Sequence, residues 1–127
     1  MAFNNNAYQN YKNNSINTAS AEQLTLMLYE GAIKFCNRAI MAIEQGNVQE
    51  AHNYIMRVER IIEEFQASLK KEYKVSEDFA VMYEYMYRRL VEANINKDVE
   101  IINEVLGYLR EFRDIWKELM KTKSSAQ

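Results

Sequence analysis

The sequence predicts an all-α fold, an antiparallel four-helix bundle preceded by an N-terminal arm. Three observations lead there. Pro is absent and Gly occurs three times in 127 residues, too few for the many turns of a sandwich or barrel. Four successive stretches repeat apolar residues at intervals of three and four. Between the stretches stand residues that start and stop helices. The chain is long enough for one domain with one core.

Residues 1–19 read as the arm. Seven of them are Asn, and Lys12 carries the only side-chain charge. Asn favours turns and caps over helix interiors. Phe3, Tyr8, Tyr11 and Ile16 are scattered through this polar stretch, so the arm is expected to be extended or loosely helical, with aromatic residues able to dock.

The bundle is expected over residues 20–121. Ser20 with Gln23 fits a capping box, followed by the stripe Leu24, Leu28, Ala32, Phe35 and Ala39. Gly46-Asn47 ends this helix and supplies the next N-cap. The second stripe runs Ala51, Ile55, Val58, Ile62, Phe65 and Leu69, with Lys70, Lys71 and Lys74 near its C-terminal end, where the helix dipole favours cations. Ser76 is the third cap, with Glu77 and Asp78 in the first turn and Phe79, Met82, Met86, Leu90 and Ala93 as the stripe. Asn94 and Asn96 mark the break. Asp98 and Glu100 open the fourth helix, striped by Ile102, Val105, Leu109, Phe112, Trp116 and Leu119. Residues 122–127 form a polar tail expected to fray.

Large apolar residues remain off these stripes, among them Met27, Tyr29, Ile33, Val81, Tyr83, Tyr87, Ile101 and Leu106. Each alone fits the flank of a wide stripe. Together, with seven Met and nine Tyr in the chain, they point to an apolar groove for a partner helix. Met adapts to irregular partners, and Tyr adds contact area with a water-tolerant end.

Charge and composition exclude several classes. A net charge of −2 offers no general attraction to nucleic acid or anionic lipid. The apolar runs are too short for a membrane span or signal peptide, and the single Cys36 cannot form an internal disulfide. A cytoplasmic protein without membrane insertion is expected. Cys36 reads as a small apolar core residue. No phosphate loop, zinc spacing or nucleophile motif is present, so no catalytic residue, metal or cofactor is expected. One histidine cannot supply the two Glu-x-x-His motifs of a di-iron bundle. His52 could serve as phosphoacceptor of a histidine phosphotransfer bundle; the competing reading is a surface histidine beside the Ala51/Ile55 seam. Arg88 lies four residues from both Glu84 and Glu92, as in an ion-pair row. Arg89 follows Tyr85 by four, a spacing that permits stacking and a polar clamp beside a groove. Asn94 either caps the third helix or binds a peptide backbone.

Three stretches carry a family resemblance: Tyr8-Gln9-Asn10-Tyr11 with Asn17 to Ala32; Tyr83-Glu84-Tyr85-Met86-Tyr87-Arg88-Arg89-Leu90-Val91-Glu92-Ala93-Asn94; and Leu109-Arg110-Glu111-Phe112-Arg113-Asp114-Ile115-Trp116. In this order they resemble the FliS family of flagellar secretion chaperones over nearly the whole chain. Ala21 departs from the pattern, since Pro often follows the cap in that family. The resemblance implies a helical bundle that binds the disordered C-terminal segment of flagellin one to one, blocks premature polymerisation and delivers it to the flagellar type III export apparatus, with further flagellar regulators as additional partners. Set beside that role, the candidate flagellin-binding residues are Tyr8, Tyr11, Ile16, Leu24, Met27, Tyr83, Tyr87, Arg89 and Asn94.

Overall fold

A computed structural model describes residues 20–69 and 76–126. Four helices fill this range: α1 (Ala21–Glu44), α2 (Val48–Ser68), α3 (Ser76–Asn96) and α4 (Val99–Ala126). Each packs on its neighbours in sequence, and α4 closes the ring against α1. Because α1 joins α2, and α3 joins α4, through two or three residues, those partners run antiparallel. Trp116, late in α4, donates from its indole Nε1 to the Glu22 carbonyl at the start of α1 at 2.8 Å, so α4 is antiparallel to α1 as well. The architecture is the expected antiparallel four-helix bundle.

The helix ends follow from local chemistry. Ser20 Oγ accepts from the Gln23 N–H at 3.1 Å, and the Gln23 side chain accepts from the Ser20 N–H at 2.9 Å, completing the capping box. Gly46 takes φ +76°, and the amides of Gly46 and Asn47 reach back to the carbonyls of Ile43 and Ala42. This is a Schellman stop, which needs a left-handed residue. Asn47 Oδ1 then accepts from the Glu50 N–H and starts α2. The α3–α4 turn repeats the device with Lys97 at φ 51° and the Asp98 amide bonded to the Ala93 carbonyl. A lysine is an unusual left-handed residue. Its ammonium offsets the strain by donating to the backbone and side-chain oxygens of Asn94. Asp98 Oδ1 receives the amides of Glu100 and Ile101.

Ile55, Val58 and Ile62 from α2, Met86 and Leu90 from α3, and Ile102, Val105 and Leu109 from α4 are fully buried. Each large side chain among them contributes roughly 1.5–3 kcal/mol of burial. Helix α1 supplies Ala32, Cys36, Ala39 and Ala42, small residues that let its backbone lie close to its neighbours. Cys36 is an inaccessible apolar filler, and burial pushes its thiol up to about 12.

The stripe of α1 is rotated from its expected phase. Tyr29, Ile33 and Cys36 are buried, while Leu24, Leu28 and Phe35 are half-buried. A helix wedged between two neighbours buries a face wider than one seam. The same width takes in Tyr83, Ile101 and Leu106, which lie off the stripes expected from sequence. Helix α4 also runs on to Ala126, beyond the frayed tail expected from residue 122. Nothing between Trp116 and Thr122 breaks a helix, and Thr122 Oγ1 donates back to the Glu118 carbonyl. The arm and the lysines at 70, 71 and 74 lie outside the described residues.

A candidate partner-binding cavity at the open end

The two tight turns close one end of the bundle. At the other end α1 and α3 begin and α2 and α4 finish. Among the described residues the core does not close here. A cavity of about 520 Å³ opens among all four helices. Phe65 of α2, Phe79 and Tyr83 of α3, and Phe112 and Trp116 of α4 form its aromatic wall, with Tyr29 and Thr25 of α1 beside them. Ile115 and Leu119, 48% and 52% exposed, extend the apolar surface along α4 into solvent.

The floor is rigid. The hydroxyls of Tyr29 and Tyr83 meet at 2.6 Å across the bundle diagonal. Phe65 lies against both rings, 4.3 Å from Tyr29 and 5.3 Å from Tyr83 between centroids. Phe112 meets Phe79 at 5.5 Å and stands edge-on to Tyr83 at 6.0 Å. Such offset and edge contacts stabilise aromatic pairs beyond their buried area. Burial raises the pKa of both tyrosines, so their hydroxyls stay neutral and hydrogen-bonded to each other. The site therefore offers aromatic surface and few polar groups. It can take up apolar side chains of a helix or extended segment.

Of the residues singled out in the sequence, Tyr83 lines this cavity. Leu24 is half-buried and Met27 is 54% exposed; neither lines it. Tyr87 packs against the core and donates to Glu63 Oε1 at 3.0 Å. Arg89 does not stack on Tyr85. Its Nε reaches Glu104 Oε1 at 2.8 Å, its Nη1 reaches Glu92 at 2.6 Å, and Tyr85 donates to the other Glu104 oxygen. These bonds lower the Glu104 pKa, with Arg89 as the largest cause. Arg88 is the residue over the Tyr85 ring, at 6.0 Å. Glu92 thus serves Arg89 and not Arg88, contrary to the ion-pair row expected from spacing. Asn94 contacts His52 Nδ1 at 2.9 Å and accepts from Lys97, fastening the α3–α4 turn to α2. His52 is half-buried and engaged there, unlike the exposed imidazole a phosphoacceptor needs. Tyr8, Tyr11 and Ile16 lie outside the described residues.

Phe79, Phe112, Trp116 and Leu119 belong to the stripes that the sequence predicts for the core. One sequence signal distinguishes them: the stripes of α2, α3 and α4 carry aromatic residues at the same end of the bundle, at Phe65, Phe79, Phe112 and Trp116. Among the described residues, no group of three or more His, Cys, Asp and Glu side chains could hold a metal ion, and no helix is long and apolar enough to cross a membrane.

The bundle has the fold of a bacterial flagellar chaperone known from a crystal structure, with a TM-score of 0.76, 18% identity, and coverage of 94% of this chain and 98% of that one. The fold thus places the chain in an architectural class of helical bundles that includes a flagellar chaperone. Residues 4–123 match the family model described as flagellar protein FliS. The flagellar secretion chaperone FliS of Bacillus subtilis (strain 168) is 41% identical over 117 residues, covering 92% of this chain and 88% of the relative. Its counterpart in Escherichia coli (strain K12) is 32% identical over 116 residues, covering 89% and 85%. The chain belongs to the FliS family of flagellar secretion chaperones.

Proposed function

We propose that this protein is a non-enzymatic cytoplasmic export chaperone that holds the C-terminal segment of flagellin, one to one, at the open end of the bundle. The observation that carries this reading is the aromatic cavity built from all four helices, in a family of secretion chaperones. A flagellin segment that would otherwise pair with its own kind inserts apolar side chains against Phe112 and Trp116 and continues along Ile115 and Leu119. Polymerisation is blocked because that face is covered. Delivery to the type III export apparatus then releases it, and further flagellar regulators contact the same chaperone. The arm, which enters α1 at Ser20 beside the cavity, shields this surface in the empty protein through Tyr8, Tyr11 and Ile16. Leu24, Met27, Tyr87, Arg89 and Asn94 contribute contacts outside the cavity.

Calorimetric titration of the full-length protein with a peptide of the flagellin C-terminus tests this. One-to-one binding is expected, and Phe112→Asp should weaken it about a hundredfold, the scale of an anchor lost from a desolvated pocket. Unchanged affinity in a folded Phe112→Asp protein would remove the cavity from the binding site.

A further inference from the structure

A second surface, on the outer seam of α1 and α2, is built differently from the cavity. The rings of Phe35 and Tyr54 stack across this seam at 6.0 Å and 25°. Three exposed cations surround them. Arg57 lies 5.4 Å above Tyr54 and 5.5 Å above Phe35, Arg38 lies 5.9 Å above Tyr54, and Lys34 lies 5.7 Å above Phe35. The ion pairs among the described residues involve Arg89, Arg113 and Lys121, and none uses these three cations. Beside Arg38 and Tyr54 a hollow of about 440 Å³ is lined also by Met41, Ala42, Gln45 and Glu50, with Met41 55% exposed.

We propose that this seam is a docking site for an acidic amphipathic helix of a protein partner, separate from the flagellin cavity. Arg38 Nη1 also donates to the Tyr54 hydroxyl at 3.5 Å, and the remaining N–H groups of Arg38 and Arg57 can still meet carboxylates, since a guanidinium carries five donors. Arg38 and Arg57 come from antiparallel helices and both lie over the Tyr54 ring, so the two cations stand on one face of the seam. Two carboxylates on one face of a helix can pair with these cations, and an apolar side chain beside them enters the hollow by Met41. Charge complementarity chooses this partner over an extended polyanion. The patch is short and bracketed by carboxylates: Glu30 is one turn before Lys34, and Glu50, which lines the hollow, is one turn before Tyr54. The arm is no candidate occupant, because residues 1–19 contain no Asp or Glu.

The test titrates the full-length isotope-labelled protein with a short amphipathic Glu/Leu helix at low salt, following amide shifts. The shifts should centre on Lys34–Met41 and Tyr54–Arg57. The K34E/R38E/R57E variant should lose at least about tenfold in affinity while binding the flagellin peptide normally, and Phe112→Asp should do the reverse. If melting shows the triple variant unfolded, K34Q/R38Q reads the same loss. Undiminished affinity in the charge variants, or shifts centred on Phe112 and Trp116, would overturn the proposal. So would tighter binding of phosphatidylglycerol vesicles or single-stranded RNA than of the peptide, or self-association of the protein that the charge variants abolish.

Discussion

Glu59 is buried in the bundle, and its Oε2 has no hydrogen-bond partner among the described residues. Burial raises its pKa, neighbouring Glu63 adds to the effect, and His52 opposes it. The folded protein therefore keeps the Glu59 proton at pH values where the unfolded chain has released it. The stability this provides is full below the unfolded pKa, about 4.3, and is lost as pH rises through the folded one. Glu59→Gln should stabilise the protein by about 1 kcal/mol near neutral pH. Denaturant titrations should show the gain shrinking towards pH ~4; a gain constant with pH would mean that the charge is not its origin. Glu104 has the opposite sign. Its pKa is lowered, so its contribution is present above the ordinary Glu value and lost as pH falls through the folded one. The Tyr29–Tyr83 pair admits a cycle. Either single Phe substitution strands a buried hydroxyl and should cost about 1–3 kcal/mol, whereas the double variant should cost less than the sum. Additive costs would show that the two hydroxyls do not depend on each other.

At the scale of the element, α4 does two jobs along one stripe. Ile102, Val105 and Leu109 are fully buried, whereas Phe112, Trp116 and Leu119 line the open cavity. Leu109→Ala should destabilise the bundle by about 2–5 kcal/mol. Trp116→Ala should cost less stability, because its ring already borders solvent, yet weaken flagellin-peptide binding by about ten- to a hundredfold. Thermal melts and calorimetry on the two variants separate these effects, and equal stability losses would place Trp116 in the core proper. The stripe itself was legible in the sequence at all six positions. The point at which it stops being core was not, because it depends on how far α1 and α2 extend beside it. Similarly, Arg89 is placed by Glu104 on another helix, a partner that spacing along α3 cannot reveal.

For the whole molecule, the arm and the cavity belong together in the proposed mechanism, since α1 begins where the cavity opens. If the arm covers the cavity in the empty protein, deletion of residues 1–15 should leave a folded bundle with more exposed apolar surface, read as increased dye binding or self-association. Two Tyr and one Ile contribute only a few kcal/mol before ordering entropy is subtracted, weak enough for flagellin to displace them. Equal dye binding in full-length and truncated proteins, with the truncated one merely less stable, would make the arm a staple of α1 instead. Binding of the flagellin peptide should change little between low and physiological salt, because the cavity is aromatic. A loss of ~10³ or more would instead indicate many ionic contacts.

The sequence by itself determined the number of helices, the caps at Ser20, Asn47 and Asp98, and the residues of the α2 stripe. Those features depend on contacts within a few residues or on a period of 3.6, and both are written along the chain. Its family likeness rests on the ordered stretches around Leu24–Ala32, Tyr83–Asn94 and Leu109–Trp116. The tertiary structure decided which apolar residues were surplus. Tyr29 and Tyr83 proved to be the hydrogen-bonded floor of the cavity, and Phe112 and Trp116 its wall. It also decided that Phe35 and Tyr54 should gather three cations on an acidic protein. Each of these depends on which helices lie beside one another and in what register, a relation between segments far apart in sequence that no local pattern encodes.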